Sequence, residues 1–222
     1  MARAVPRMNR FQLERQLWVQ GLTRVAGVDE AGCGPLAGPV VAGAAILPVK
    51  WGDSGLPKPL RGLTDSKLLT ALQRERYFAY LTACPEVQFA VAEVDAGQID
   101  VLNIFHAAHH AMNLALAQLN PPPEHVLVDG RRVKTMTLPQ TAIVKGDLKS
   151  YSIAAASVLA KVTRDRLMVE FHRQWPMYGF ADHKGYATAQ HLAAITAHGP
   201  CPIHRRSFAP FKPAQIEFSE WE

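Results

Sequence analysis

The sequence predicts an α/β domain on a central mixed sheet, antiparallel at one edge and parallel through helical crossovers. Three observations carry this. Two apolar runs, 25–30 (VAGVDE) and 40–47 (VVAGAAIL), are joined by the glycine-rich turn AGCGPLAGP, which favours antiparallel pairing. Short apolar runs at 87–94, 125–129 and 141–144 then alternate with long helical stretches, the pattern of parallel strands with helical crossovers. Helices dominate the last third of the chain.

The elements follow in order. Residues 1–24 read as an N-terminal helical segment. They are Arg-rich and acid-poor, which also suits a transit peptide, but they lack the apolar core of a secretory signal. After the first two strands, residues 48–63 are rich in Pro and Gly and form a loop. A helix begins near Thr70, with TALQRERYFAYL as its body. A strand at 87–94 precedes a long helix from about 98 to 119, stopped by Asn120 and three prolines. After the strands HVLVD (125–129) and TAIV (141–144), Asp147 is the expected cap of a helix that runs to about Gln174. A last helix spans roughly 188–198, capped by Thr188 and ended by Gly199, before the basic, proline-rich CPIHRRSFAPFKP. The expected division is therefore 1–24, a catalytic domain over 25–187, and a C-terminal helix and tail over 188–222.

Composition narrows the function classes. Nearly half of the 222 residues are apolar, enough for a core without staples. Cys33, Cys84 and Cys201 are odd in number and widely spaced, with no CxxC pair, so neither a disulfide framework nor a structural zinc site is expected. No apolar run reaches the ~18 residues that suggest a membrane span. The net charge of +5 suits a polyanionic partner without requiring one.

Acids in apolar surroundings are the main chemical clue. Asp29 and Glu30 close one apolar strand and Asp129 closes another, each followed by a turn containing glycine. Sites in open α/β sheets form where strands end. Neighbouring strand residues face opposite sides, so Asp29 and Glu30 converge only where the strand bends or ends. Asp165 falls on a helical stripe with Ala154, Val158, Val162 and Val169, which points it at the packed side. Clustered carboxylates repel and raise one another's pKa, and divalent cations reverse that penalty. Oxygen ligands of this kind favour Mg²⁺ or Mn²⁺, and two such ions ~3.5–4 Å apart can clamp the attacking and leaving oxygens of phosphodiester cleavage. The bland alternative is that each acid caps a turn or pairs with a nearby arginine. His106, His109 and His110 have metal-like spacing, but His109 shares a stripe with Leu102, Phe105, Met112 and Leu116 and reads as packing.

GVDEAGCGPLAGPVVAGAAIL (27–47), DSKLL (65–69), VLVDG (126–130), KSYSIAAASVLAKVTRDRLM (149–168) and HKGYATAQH (183–191) resemble, in order, the signature blocks of bacterial ribonuclease HII. The resemblance implies a ribonuclease H-like fold: a five-stranded mixed sheet flanked by helices, with a helical C-terminal extension. It implies a cytoplasmic, monomeric endoribonuclease that uses two Mg²⁺ or Mn²⁺ ions. Such an enzyme cuts RNA–DNA hybrids and incises 5′ of single ribonucleotides in duplex DNA, leaving 5′-phosphate and 3′-hydroxyl ends. A DNA sliding clamp is a further candidate partner. The family's four catalytic and metal-holding acids are matched to Asp29, Glu30, Asp129 and Asp165.

The resemblance also assigns substrate contacts. The loop Gly32, Cys33, Gly34 is the reader of the ribose 2′-hydroxyl, through its backbone. Cys33 stands where the family usually has Arg, and is either a packed thiol or, if exposed, an oxidisable one. Tyr186 corresponds to the tyrosine that stacks on the deoxyribose after the ribonucleotide. Lys67 is expected at a phosphate, with Thr64 and Ser66 bonding from the same loop, while Asp65 suits an N-cap. The tail HRRSF (204–208) reads as solvated or as touching the duplex backbone. The rival readings are a junction resolvase, a ribonuclease HIII-like enzyme, and a non-catalytic hybrid-binding module.

Overall fold

The computed structural model of the chain describes residues 10–211. Its elements are α1 (Gln12–Trp18), β1 (Val25–Ala31), β2 (Val40–Ile46), α2 (Trp51–Ser54), α3 (Ala71–Ala83), β3 (Gln88–Val94), α4 (Ala96–Leu102), α5 (Ile104–Ala117), β4 (His125–Asp129), β5 (Gln140–Ile143), α6 (Tyr151–Gln174), α7 (Phe180–His183) and α8 (Ala189–His198). The five strands form one sheet in the order β3-β2-β1-β4-β5. β1 pairs antiparallel with β2 and parallel with β4. The predicted mixed α/β architecture is thus present. Among the described residues no helix is long and apolar enough to cross a membrane.

Alternation along β2 builds two cores. Ala42, Ala44 and Ile46 pack with Ala107, Ala111, Met112 and Ala115 of α5. Ala45 packs with Ala154, Val158 and Leu159 of α6 on the opposite face. Between them, Gly27 and Gly43 leave room for α6 to lie directly on the strands. A Cβ on Gly27 would fall 2.1 Å from the Ser152 carbonyl carbon, and one on Gly43 would fall 2.4 Å from the Ala156 oxygen. Because α6 carries the alanine run 154–156 against the sheet, helix and strand meet with little side-chain spacer. Gly27→Ala is therefore expected to cost about 3 kcal/mol or more, since helix backbone must move rather than a flexible side chain. Denaturant unfolding checks this, and an unchanged midpoint would contradict the packing.

Two sequence expectations need correction. The long helix predicted from 98 to 119 is two helices broken at Asn103, whose φ is +63° and whose side chain accepts from the His106 N–H to start α5. Asp147 does not cap α6. Ser150 does, accepting from Ile153 N at 3.1 Å, while Asp147 sits in a short 3-10 turn (Gly146–Leu148) just before it. The predicted N-terminal helix is seen as α1, with residues 1–9 outside the described residues, as are 212–222 of the predicted tail. α1 is tied to α6 through the fully buried Glu14, whose Oε1 accepts from Ser150 Oγ at 2.6 Å and Ser152 N at 3.0 Å.

Candidate active site

The sheet register brings two of the predicted acids together. β1 and β4 run parallel, with Val28 opposite Val128 as their last pair. Asp29 and Asp129 come next on neighbouring strands, ~4.8 Å apart in the pairing direction and facing the same side. β4 ends at Asp129 while β1 continues to Ala31. The final residues of β1 therefore lose their β4 neighbour, and Asp29 and Glu30 both reach one cavity at the sheet's end. β1 does not stop between the two acids, as the sequence had suggested; the ending of β4 opens the space.

These carboxylates are desolvated and close to like charges. Asp29 is 6% exposed. Burial first, then the charges of Glu30 and Asp129, push its pKa well above the usual carboxylate range, against hydrogen bonds from the Ser157 hydroxyl and the Glu30 N–H. Burial and Asp129 likewise raise Glu30, opposed by the Cys33 thiol and Lys67. Asp129 Oδ1 accepts from Gly146 N at 2.6 Å.

That bond delivers a carboxylate the sequence reading missed. Gly146 lies against Asp129, and Asp147 follows it, 8% exposed. Burial, then Asp65 and Asp129, raise the Asp147 pKa to about 6. Lys67 senses the same group. Burial works against its charge, but Asp29, Asp65, Asp147 and Glu30 outweigh burial and hold its pKa above the ordinary lysine value. The signal for Asp147 was available: an acid beside a glycine, in a short turn leaving a strand next to Asp129, with Ser150 already serving as the helix cap.

Asp165 is not brought into this cluster. Its carboxylate pairs with Lys161 Nζ at 2.7 Å and lies 4.0 Å from an Arg74 Nη. It lines a different cavity, with Arg74, Glu75, Arg166 and Lys184. What α6 presents to the cavity holding Asp29 and Glu30 is Ser157, Lys161 and Arg164, so Asp165 sits on a neighbouring face of the helix. The stripe was read as pointing Asp165 at the packed side, and the charge that compensates it there is a pair of side-chain cations.

The other predicted residues are largely gathered. Gly32, Cys33, Gly34, Ser66, Lys67 and Tyr186 line the cavity with Asp29 and Glu30, whereas Thr64 lies outside that lining. Ser66 is buried, 2.9 Å from Ser157 Oγ. Asp65 acts as an N-cap, accepting from Lys67 N at 2.8 Å. Tyr186 is 45% exposed at the rim, and a Cβ on Gly34 would lie 3.7 Å from its ring. Cys33 donates its thiol to Glu30 Oε1 at 3.6 Å. Burial and the Glu30 charge push that thiol up to about 12, so it stays protonated and is not the oxidisable group considered above. His109 packs against Phe105 at 4.1 Å between ring centroids. The HRRSF segment is not simply solvated, because Arg205 is fully buried.

The donor set fits hard divalent cations. Among the described residues, no Lys, Arg or His nitrogen lies within 4.0 Å of Asp29, Glu30, Asp129 or Asp147. As they stand, the described residues bring no three His, Cys, Asp or Glu side chains close enough to hold one metal ion together. The arrangement is an open rim of desolvated oxygens. Burying carboxylates without a counter-charge is costly, and oxygen-binding cations offset that cost.

Comparisons with known proteins agree with this architecture. The family model described as Ribonuclease HII matches residues 26–211. Ribonuclease HII of Geobacillus kaustophilus is 53% identical over 202 residues, covering 91% of this chain and 74% of the relative. The crystal structure of ribonuclease H2 from Pyrococcus horikoshii superposes with a TM-score of 0.66 at 29% identity, covering 85% of this chain and 95% of that one. The RNase HII of a PCNA:RNase HII complex from Archaeoglobus fulgidus does so with a TM-score of 0.66 at 26% identity, covering 82% and 93%.

Proposed function

The chain belongs to the ribonuclease HII family and is a metal-dependent ribonuclease H; from that premise we propose that it hydrolyses the RNA strand of RNA–DNA hybrids and incises 5′ of single ribonucleotides in duplex DNA, leaving 5′-phosphate and 3′-hydroxyl ends. The observation that carries the reading is one cavity lined by buried Asp29, Glu30, the Gly32–Gly34 loop, Lys67 and Tyr186.

Asp29, Glu30, Asp129 and Asp147 would hold two Mg²⁺ or Mn²⁺ ions. Such ions, when bound, supply Lewis acidity toward the scissile phosphate and toward water. The residues themselves bind and orient. The Gly146 N–H fixes the direction of Asp129 and the Glu30 N–H that of Asp29. Lys67, held fully protonated by its acidic neighbours, attracts a phosphate whatever the base sequence. The Gly32–Gly34 backbone meets the 2′-hydroxyl, the group that separates RNA from DNA at one position. Tyr186 offers a flat, half-exposed face to the next sugar. The likeness to the archaeal RNase HII of the PCNA complex extends the proposal to a sliding-clamp partner.

The test offers three substrates with Mg²⁺ or Mn²⁺: an RNA–DNA hybrid, a DNA duplex with one ribonucleotide, and an all-DNA junction. Cutting of the first two with the stated ends is expected. Cutting of the junction alone, or binding of hybrid without cutting, would overturn the reading. Tyr186→Ala is further expected to raise KM for the one-ribonucleotide duplex ~10-fold, the scale of one lost stacking contact, while Tyr186→Phe stays near the parent. Steady-state kinetics check this, and an unchanged KM in Tyr186→Ala would remove the stacking role.

A further inference from the structure

Two arginines of this protein are buried without an acid. Arg164 is 1% exposed and Arg205 0% exposed, and among the described residues neither has a carboxylate within 4.0 Å. Every side-chain hydrogen bond they make goes to a backbone carbonyl. Arg164 donates from Nε to Pro39, from Nη2 to Ala37 and from Nη1 to Lys184, at 3.0–3.1 Å. Arg205 donates from Nε to Gly38 at 2.9 Å, from Nη1 to Cys33 at 3.0 Å and from Nη2 to Gly32 at 2.6 Å. Burying an uncompensated guanidinium is costly. Burial and the nearby charge of Arg164 bring the Arg205 pKa down to about 9. The fork of donors offsets this cost by fixing five carbonyls of one segment, 32–39.

The rest of that segment is laced to the same neighbours. Leu36 N donates to Gly185 O, Gly38 N to Ile203 O, and Arg205 N to Leu36 O, at 2.8–2.9 Å. Gly32 adopts φ +100°, and a Cβ there would lie 2.1 Å from Arg164 Nε, so glycine admits the guanidinium against the chain. Arg164 also grips the carbonyl of Lys184, two residues from Tyr186. In a trans peptide the N–H points opposite to the C=O. With the Gly32 and Cys33 carbonyls held by Arg205, the N–H groups of Cys33 and Gly34 face away from it. Among the described residues neither N–H is spent on an intramolecular hydrogen bond.

We propose that Arg205 is a positioning residue for sugar discrimination: by holding the Gly32 and Cys33 carbonyls from behind, it presents the N–H groups of Cys33 and Gly34 to an acceptor oxygen on the ribose. This rests on the ribonuclease reading above. Arg205 touches no substrate; it sets the loop that does. Arg164 of α6 holds the far end of the segment, and Arg205 holds the two carbonyls of the loop itself.

The experiment compares the parent, Arg205→Lys and the exposed-site control Arg206→Ala. It measures kcat and KM on a one-ribonucleotide duplex and Ki for the all-DNA duplex of the same sequence as competitor, with melting curves alongside. A lysine keeps a single nitrogen donor and loses the fork. For Arg205→Lys, KM is expected to rise ~10-fold with Ki within about 2-fold, so discrimination (Ki/KM) falls at least ~5-fold, the scale of one well-made hydrogen bond. Arg206→Ala should keep the parent ratio. An unchanged ratio in folded Arg205→Lys, or KM and Ki rising in parallel, overturns the proposal. Should Arg205→Lys fail to fold, Phe208→Leu substitutes for it: the Phe208 ring lies 5.2 Å from the Arg205 guanidinium, and its removal is expected to lower the ratio ~2–3-fold. An unchanged ratio there overturns the proposal equally. Failure of the parent to cut the one-ribonucleotide duplex would instead sink the ribonuclease reading and is read separately.

Discussion

Asn in place of Asp29 is expected to lower kcat on a one-ribonucleotide duplex by ~10³-fold or more while making the metal-free protein more stable at pH 8. Both effects have the same origin. Asp29 is buried beside Glu30 and Asp129, and its pKa is raised by burial and by those charges. A carboxyl group with a raised folded-state pKa favours folding in its protonated form. Its contribution is fully present below the unfolded value of 3.8 and is lost as pH rises through the folded value. At pH 8 the parent carries that penalty and Asp29→Asn does not. A gain of ~1–3 kcal/mol is the expected scale, or ~2–4 °C in Tm per kcal/mol for a chain of this size. The gain should shrink towards pH 4, where the parent carboxyl is protonated. Melting curves at the two pH values, beside single-turnover kinetics, check both halves. A variant that keeps activity, or that melts lower than the parent at pH 8, contradicts this account of the site.

Asp147 and Asp165 should separate sharply. Asp147→Asn is expected to lower kcat ~10²-fold. Asp165→Asn should stay within ~5-fold of the parent and instead lose up to ~1 kcal/mol of stability with its Lys161 and Arg74 partners. Because burial and neighbouring acids set the Asp147 pKa to about 6 in the metal-free protein, and cation binding requires ionised carboxylates, activity at sub-saturating metal should fall as pH drops through about 6. In Asp147→Asn that acid limb should move. The pH–rate profiles of the parent and both variants test this. Asp165→Asn as damaging as Asp147→Asn would return Asp165 to the catalytic group.

Much of the fold and most of the site could be read in the chain, for identifiable reasons. The strands, the antiparallel β1–β2 pairing and the glycine-rich turn follow from local patterns, and so did the acids at the ends of β1 and β4. What failed was long-range. The break at Asn103 left no mark on an otherwise helical pattern, because Asn carries the left-handed conformation and the α5 cap in a single residue. Asp165 was grouped with the other acids because the stripe 158, 162, 165 looked like the site-facing one, whereas Ser157, Lys161 and Arg164, one residue round the helix, are what α6 presents to the cavity. Asp147 was read as a cap, since acids before helices usually are, while Ser150 filled that role. Arg205 lies in a run of basic residues that looks solvated. Only the carbonyls of 32–39, more than 160 residues away, explain its burial.

The claim on which the account depends is that Asp29, Glu30, Asp129 and Asp147 form one acidic rim, with Asp29 and Asp147 buried, whose repulsion a divalent cation relieves. Calorimetric titration of Mn²⁺ into the parent, Asp29→Asn, Asp147→Asn and Asp165→Asn at pH 8 tests it most directly. Saturable binding is expected in the parent and in Asp165→Asn, and strongly weakened binding in Asp29→Asn and Asp147→Asn. Equal Mn²⁺ binding by all four proteins would contradict it.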